Sequence, residues 1–506
     1  MKNKINIFII CLFSSYLYNQ DSIDPVYTGS FGSVTINNQV YNHFSIRPEL
    51  AFGKFGLGLD IYFYIDQDGE LYDKNWNFSS AKDTYKTLVD KIYYLRWGLP
   101  YDDKYFRIGA LPNITLGNGS LVNSYSNVMD YPRVRRAGFN FKYKFQNFRL
   151  QFVHSDLKEF EEPSIIALQG TFEYIKNLDL TFNIVTDINQ KRGLLDSDGD
   201  GYPDFIESGY ANNPNMWHDN QTVQDWLDAN CVDSGITESE CNNLDELAED
   251  EMQADLNPSE LATDEVSGLS LGATYKINNN LKIYSEFSRL IGKTSSPPYS
   301  TQEEIDSFDR ELGYGFIPFG LIAEWDKIVM TIDYRQSSDN YLFHYWDQNY
   351  DHNRAMVVYI DDVPNVVTKE QRLYTYGKSK GANLSITSNF LKVFQLSMSY
   401  QYLNGQKWDD ELDDFKSDQN NTFFAKLDID TSKIYKVRIA ELFYRQSYVS
   451  KPFNFNPDEN TLFGYNIGIE MADNMILLLR GRKTYVFDNG DYRPVKTTQV
   501  ETQIIF

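Results

Sequence analysis

Long apolar runs are missing from most of this 506-residue chain, and with them several kinds of function. Beyond residue 20 no apolar stretch approaches the roughly 20 residues that a membrane-crossing helix needs. Mean hydropathy is -0.48, so a helical membrane protein is excluded. Histidine is scarce: His43, His154, His218, His344 and His352 are the five, and no two stand at a metal-ligand spacing. His154 has serines nearby, but no nucleophile motif surrounds any of them, and the expectation is a protein that is not an enzyme. No phosphate-binding loop or basic patch is present. With 71 acidic against 47 basic residues the charge balance opposes nucleic-acid binding. Cysteine is nearly absent too. Cys11 falls in the first twenty residues; Cys231 and Cys241 lie ten apart in one polar segment. In an exported protein that pair meets an oxidising compartment and is expected to form a local disulfide.

Aromatic residues are abundant instead: 37 Tyr, 34 Phe and 7 Trp, 15% of the chain. They recur in period-2 alternation, the signature of strands with one apolar and one polar face. Phe139, Phe141, Tyr143 and Phe145 alternate with Asn140, Lys142 and Lys144. Leu178, Leu180, Phe182 and Ile184 alternate with Asp179, Thr181 and Asn183. The same holds around 57–65, 328–334, 394–402, 423–430 and 463–471. These runs are about 9 to 13 residues long, which suits a tilted membrane crossing better than the usual strand of five or six. The connections are read as alternating strictly between tight and long. Gln146-Asn147, Lys176-Asn177, Asn278-Asn279-Asn280, Asp326-Lys327, Thr431-Ser432 and Asp473-Asn474 are tight, whereas 190–265, 291–311, 338–375, 405–417 and 447–459 are long. Residues 81–92 read as a short helix in a long connection. At the N-terminus, Lys2 and Lys4 precede apolar Ile5 to Phe13, which predicts a secretion signal over 1–20.

The chain ends Val500-Glu-Thr-Gln-Ile-Ile-Phe506. Phe506, Ile504, Thr502 and Val500 share one face; Gln503, Glu501 and Gln499 share the other. A terminal aromatic strand of this kind resembles the C-terminal signature of Gram-negative outer-membrane β-barrels, porin-like in class. The resemblance implies an all-β, transmembrane, antiparallel up-and-down barrel of about 16–20 strands over 21–506. It also implies insertion by the barrel assembly machinery into outer-membrane lipid, and a terminal strand that pairs with the first to leave no edge. With both termini periplasmic, the tight turns fall on the inner side and the long loops outside. The first strand is read near Tyr27, with no plug domain before it, which argues against a TonB-dependent receptor.

Residues 193–265 hold 20 Asp and Glu and no Lys or Arg, so most of the net charge of -24 belongs to one outer loop. Within it, Asp196, Asp198, Asp200, Asp204 and Glu207 fall at positions 1, 3, 5, 9 and 12 of an EF-hand-like spacing, with Gly201 at 6 and the Tyr202 carbonyl at 7. Pro203 departs from the EF-hand pattern, and the segment looks closer to the calcium repeats of thrombospondin type 3 modules. A structural Ca²⁺ is expected there. Candidates to line a pore are Arg133, Arg135 and Arg136, after a Gly/Asn-rich stretch 117–127 that is expected to fold inward, and Lys142, Lys144, Asp333, Arg335, Lys426, Asp428, Arg480 and Arg482. Both signs occur, so no simple ion preference follows. The aromatic run Tyr341 to Trp346 is expected to belong to an interfacial girdle. The function expected is passive or weakly selective diffusion of small hydrophilic solutes. The alternative is a barrel-anchored surface protein whose Ca²⁺-bound loop binds a partner or glycan.

Overall fold

A computed structural model describes residues 22–36, 39–72, 74–129, 131, 134–194, 264–294, 310–360, 363–390, 394–409, 412, 414–429, 431, 434, 436–472, 474–488 and 491–505. The signal segment, Arg133, Cys231, Cys241, Phe506 and the six calcium-loop positions Asp196, Asp198, Asp200, Tyr202, Asp204 and Glu207 lie outside the described residues.

Twenty antiparallel strands close into one barrel. The first five are β1 (Ser22–Ile36), β2 (Gln39–Phe52), β3 (Phe55–Leu59 continued by Ile61–Ile65), β4 (Ile92–Trp97) and β5 (Lys104–Gly109). Then come β6 (Gly138–Phe145), β7 (Phe148–His154), β8 (Ile166–Ile175), β9 (Leu178–Asp187) and β10 (Val266–Lys276). The next are β11 (Leu281–Ile291), β12 (Tyr314–Trp325), β13 (Ile328–Ser337), β14 (Ser379–Phe390) and β15 (Phe394–Asp409). The last are β16 (Asp414–Gln419 continued by Asn421–Ile429), β17 (Val437–Val449), β18 (Thr461–Ala472), β19 (Met475–Asp488) and β20 (Asp491–Ile505). Each strand pairs with its sequence neighbours, and β20 returns to β1 with Thr28 opposite Ile505 through Gly32 opposite Glu501. Such closure satisfies backbone groups without solvent and is one of the two ways a chain crosses a bilayer.

The alternation read from sequence is the alternation of the wall. Phe44, Ile46, Leu180, Leu271, Phe287 and Val500 are exposed on the outside, whereas Ser45, Asn183, Ser270, Glu286, Asp333 and Glu501 are buried on the inside. Phe52, Trp97, Phe145, Tyr174, Tyr275 and Trp325 stand exposed beside the turns at one end, where amphipathic rings mark a membrane interface. A wall of this kind in water would be an aggregation site; facing lipid, it is the wall of a transmembrane up-and-down β-barrel.

The short turns gather at that end, and Gln146, Asn177 and Asn474 adopt the left-handed conformation that tight turns demand. Strict alternation of tight and long connections does not hold at the other end. There β1 and β2 are joined across two residues, as are β19 and β20. The expected loop 405–417 is also largely strand: Asn404 to Asp409 pair with Gln419 to Asp414. Trp408 packs edge-on against Phe415 at 5.1 Å, Arg310 lies 4.6 Å from the Trp408 ring centre and the Gly377 N–H donates to the Gln406 carbonyl at 2.8 Å, so cross-strand and neighbouring contacts together keep the hairpin extended. The helix expected near 81–92 is α1 (Ala81–Asp90), capped by Ser80, whose hydroxyl accepts from the Asp83 N–H at 3.1 Å.

Candidate functional site

Two connections from the loop-bearing end fold back into the barrel. The first, 110–137, carries Leu111, Ile114, Leu116, Leu121, Val122 and Tyr125. The second, 338–378, carries Tyr341, Leu342, Phe343, Tyr345, Trp346 and Tyr350. All of these are buried in one apolar cluster with inward residues of the wall. The girdle expected for Tyr341 to Trp346 is therefore corrected. Trp346 has no exposed surface, and this run faces the lumen rather than lipid. The reason is a second apolar partner: Val122 and Asn123 pair in parallel with Trp346 and Asp347, and β10 offers Gly268, where a Cβ would stand 2.9 Å from the Trp346 ring.

Buried polar groups of the wall fix both segments. Glu286 on β11 accepts the Asn118 N–H at 2.7 Å and the Ser120 hydroxyl. Gln169 on β8 accepts the Gly117 N–H at 3.0 Å. Gly117 has φ +59°, and a Cβ there would lie 2.6 Å from Asn183 Nδ2 and 3.2 Å from Glu286 Oε1, so the close approach requires glycine. Arg335 on β13 donates to Asp333 at 2.5 Å and Gln401 at 2.5 Å and meets His344 of the second segment at 3.0 Å. Asp187 at the end of β9 accepts from Tyr350 at 2.8 Å and Arg354 at 3.0 Å. Arg445 on β17 pairs with Asp347 at 2.6 Å. The two segments tie to each other at Asp351, which accepts the Tyr125 hydroxyl at 2.9 Å and lies 3.5 Å from Arg136. Lys369 donates to the Tyr345 carbonyl at 2.7 Å and lies within 5.7 Å of the Tyr345, Tyr350 and Tyr448 ring centres. Burial there pushes its ammonium down to about 8.

The ten described pore-lining candidates separate by position. Arg135 is buried against Asp60 at 3.3 Å and the Tyr64 hydroxyl at 2.9 Å, 3.6 Å above the Tyr62 ring. Asp333 and Arg335 are covered by the second segment. Lys426, by contrast, is about a third exposed and pairs with Glu441 at 2.9 Å and Asp428 at 3.3 Å. Arg480 pairs with Glu501 at 3.2 Å, and Arg482 donates to Asn466 at 3.1 Å. Lys144 shares Glu173 with Arg149.

Of one basic arc in the lumen only Lys142 is among the candidates read from sequence; Arg96 and Arg107 are not. On β4 and β5, Arg96 and Arg107 are direct inward-facing partners, and Lys142 stands opposite Tyr105 on the next pair. Arg96 donates to the Gly98 carbonyl at 3.0 Å, Arg107 to Ala110 at 2.5 Å and Lys142 to Pro100 at 3.3 Å. Among the described residues none of these three has a carboxylate ion pair. The Tyr94–Arg96 and Tyr105–Arg107 spacings were the available signal, since residues two apart share a face. The lumen is thus charge-compensated along β16–β20 and basic along β4–β6.

No protein-family model matches the chain, and none of the curated proteins does. Among solved structures, OccK3 (OpdO) of Pseudomonas aeruginosa aligns at 10% identity over 96% of both chains with a TM-score of 0.35. OccD3 (OpdP) of the same organism aligns at 9% identity over 96% of this chain and 91% of its own, TM-score 0.34. BauA, the ferric preacinetobactin receptor of Acinetobacter baumannii, aligns at 8% identity over 96% and 80%, TM-score 0.36.

Proposed function

We propose that this outer-membrane barrel is a channel for small hydrophilic solutes, with 110–137 and 338–378 narrowing its lumen. The observation that carries the reading is the solvent access of inward charges in a lumen that two segments narrow around a buried apolar cluster. The Arg149 and Arg438 side chains are about half exposed and Lys426 about a third. A barrel of this strand number is too wide for wall side chains alone to fill, and the two segments account for only part of the interior wall.

Reconstitution in planar bilayers tests the reading. A steady open-channel current is expected, and it is expected to survive deletion of 193–265. Absence of current in every state would overturn the channel and leave the barrel as an anchor, a role that the large buried cluster inside the lumen would equally serve. In a potassium chloride gradient the basic arc is expected to give a reversal potential favouring chloride. Replacing Arg96 and Arg107 together by Ala is expected to move that potential toward potassium; an unchanged value would remove the arc from the conduction path.

We further propose that Asp196, Asp198, Asp200, Asp204, Glu207 and the Tyr202 carbonyl hold a structural Ca²⁺. Five carboxylates at ligand spacing repel one another without a cation. Replacing Asp196, Asp198 and Asp200 by Ala is expected to abolish a Ca²⁺-induced thermal shift, and a shift of unaltered size would rule this site out.

A further inference from the structure

Lys483 on β19 and Lys496 on β20 are direct cross-strand partners. They stand in the register that also opposes Leu479 to Val500 and Gly481 to Thr498, on the lipid-facing side of the wall. Like charges placed opposite each other on adjacent strands repel. Among the described residues neither ammonium has a carboxylate partner, and Lys483 lies 4.9 Å from the Tyr485 ring centre. Other outward cations at the loop-bearing end are compensated: Arg289 lies 4.0 Å from Glu311 and Lys378 3.9 Å from Asp339. One row below the lysines the Tyr465 ring lies across Gly481, where a Cβ would stand 2.7 Å from the Tyr465 hydroxyl. Beside it, Thr498 is exposed. Two ammonium groups and two hydroxyls therefore occupy adjoining rows of one face.

Their height is set by register. Lys483 stands eight residues above Met475, which opposes Ile504 near the turn-bearing end. At about 3.4 Å per residue and a tilt of about 40°, that is roughly 21 Å along the membrane normal. The apolar band of such barrels is about 25 Å tall. The lysine backbones thus lie about 4 Å short of the upper edge of that band, within the reach of a lysine stem, so both ammonium groups meet the headgroups at the loop-bearing end. Thr498 and the Tyr465 ring stand one row, about 5 Å, below them, and Leu479 and Val500 stay among acyl chains.

We propose that this face binds a phosphate-bearing lipid of the outer leaflet. The phosphate sits between Lys483 and Lys496, with Thr498 and Tyr465 donating to its oxygens and an acyl chain lying along Leu479 and Val500. A phosphate suits the site because its charge removes the lysine–lysine repulsion and its several oxygens accept from all four donors.

Native mass spectrometry of the whole barrel after detergent exchange tests this, with diphosphorylated lipid A, its dephosphorylated form and inorganic phosphate as probes. The protein is expected to retain the diphosphorylated lipid about tenfold better than the variant Lys483→Gln/Lys496→Gln, a difference of about 1.4 kcal/mol. Equal retention by the two proteins, or equal retention of the phosphorylated and dephosphorylated lipids, overturns the site. So does binding of inorganic phosphate without lipid retention, which would mark an adventitious ion only. Lys496→Glu gives Lys483 an ion-pair partner and is expected to keep the barrel folded while losing the lipid. Full retention by that variant would also overturn the proposal.

Discussion

Arg335→Ala is expected to enlarge the single-channel current and make it fluctuate. Arg335 joins the barrel wall to an inward segment: it holds Asp333 and Gln401 on the wall and meets His344 on 338–378. Truncating one member of a buried ion pair costs about 3–5 kcal/mol, because the other charge is left uncompensated. Here Asp333 would keep the Tyr284 hydroxyl at 2.9 Å and Asn383 at 2.9 Å but lose its cation. The segment has other anchors in the Arg445–Asp347 pair and the Arg354–Asp187 pair. The expected result is local displacement around Phe343 and His344 rather than release of the whole segment. Arg335→Lys keeps the charge without the planar fork and is expected to fall between the two. Single-channel records decide it. A current of unchanged size and noise in Arg335→Ala would show that 338–378 does not restrict the passage.

Glu501→Ala is expected to weaken the barrel at its seam more than any exposed charge substitution. The β1–β20 ladder is short, from Thr28–Ile505 to Gly32–Glu501. Glu501 is buried on the lumenal side of that ladder, 3.2 Å from Arg480 on β19 and 3.8 Å from Arg47 on β2. One carboxylate therefore links the strands on either side of the closure. Losing it takes the 3.2 Å carboxylate from Arg480, while Arg47 keeps Asp60 at 3.0 Å, and breaking a buried pair in this way costs on the order of 3 kcal/mol. The temperature at which the folded species converts to the unfolded one on semi-native gels is expected to fall by several degrees. Glu501→Gln, which retains hydrogen-bonding capacity, is expected to lose less. Lys378→Ala removes an exposed pair with Asp339 and is expected to change nothing measurable. If Glu501→Ala unfolds at the same temperature as Lys378→Ala, the seam does not depend on this carboxylate.

The wall was legible in the sequence because lipid and water impose opposite demands on alternate residues. The runs around Phe139, Leu178, Ile328, Phe394 and Phe463 all emerge as strands, and the turns at Gln146-Asn147 and Lys176-Asn177 fall between consecutive strands. The interior was less legible. The inward course of 117–127 was readable from its Gly and Asn content, since small residues permit the approach of Gly117 to Glu286 and Asn183. Tyr341 to Trp346 was misplaced because an aromatic run looks the same against lipid as against another buried segment. Only the distant partners Leu121, Val122 and Gly268 distinguish the two, and those contacts carry no local signal. The hairpin 405–417 reads as a loop in sequence, since Gly405 and the acidic residues after Trp408 are turn chemistry, whereas the Trp408–Phe415 contact helps to keep it extended. Arg96 and Arg107 were passed over because each is unremarkable alone; their juxtaposition exists only through the β4–β5 register.

The pairing of Thr28 to Gly32 with Ile505 to Glu501 is also where the two ends of the sheet meet. Among the described pairings these partners are the most distant in sequence, so their contact carries the largest loop-closure cost. A chain cut short anywhere before β20 would keep β1 as an open edge and gain a second one, each a template for unwanted strand addition. An intact β20 is thereby the condition for the molecule to have no open edge between β20 and β1.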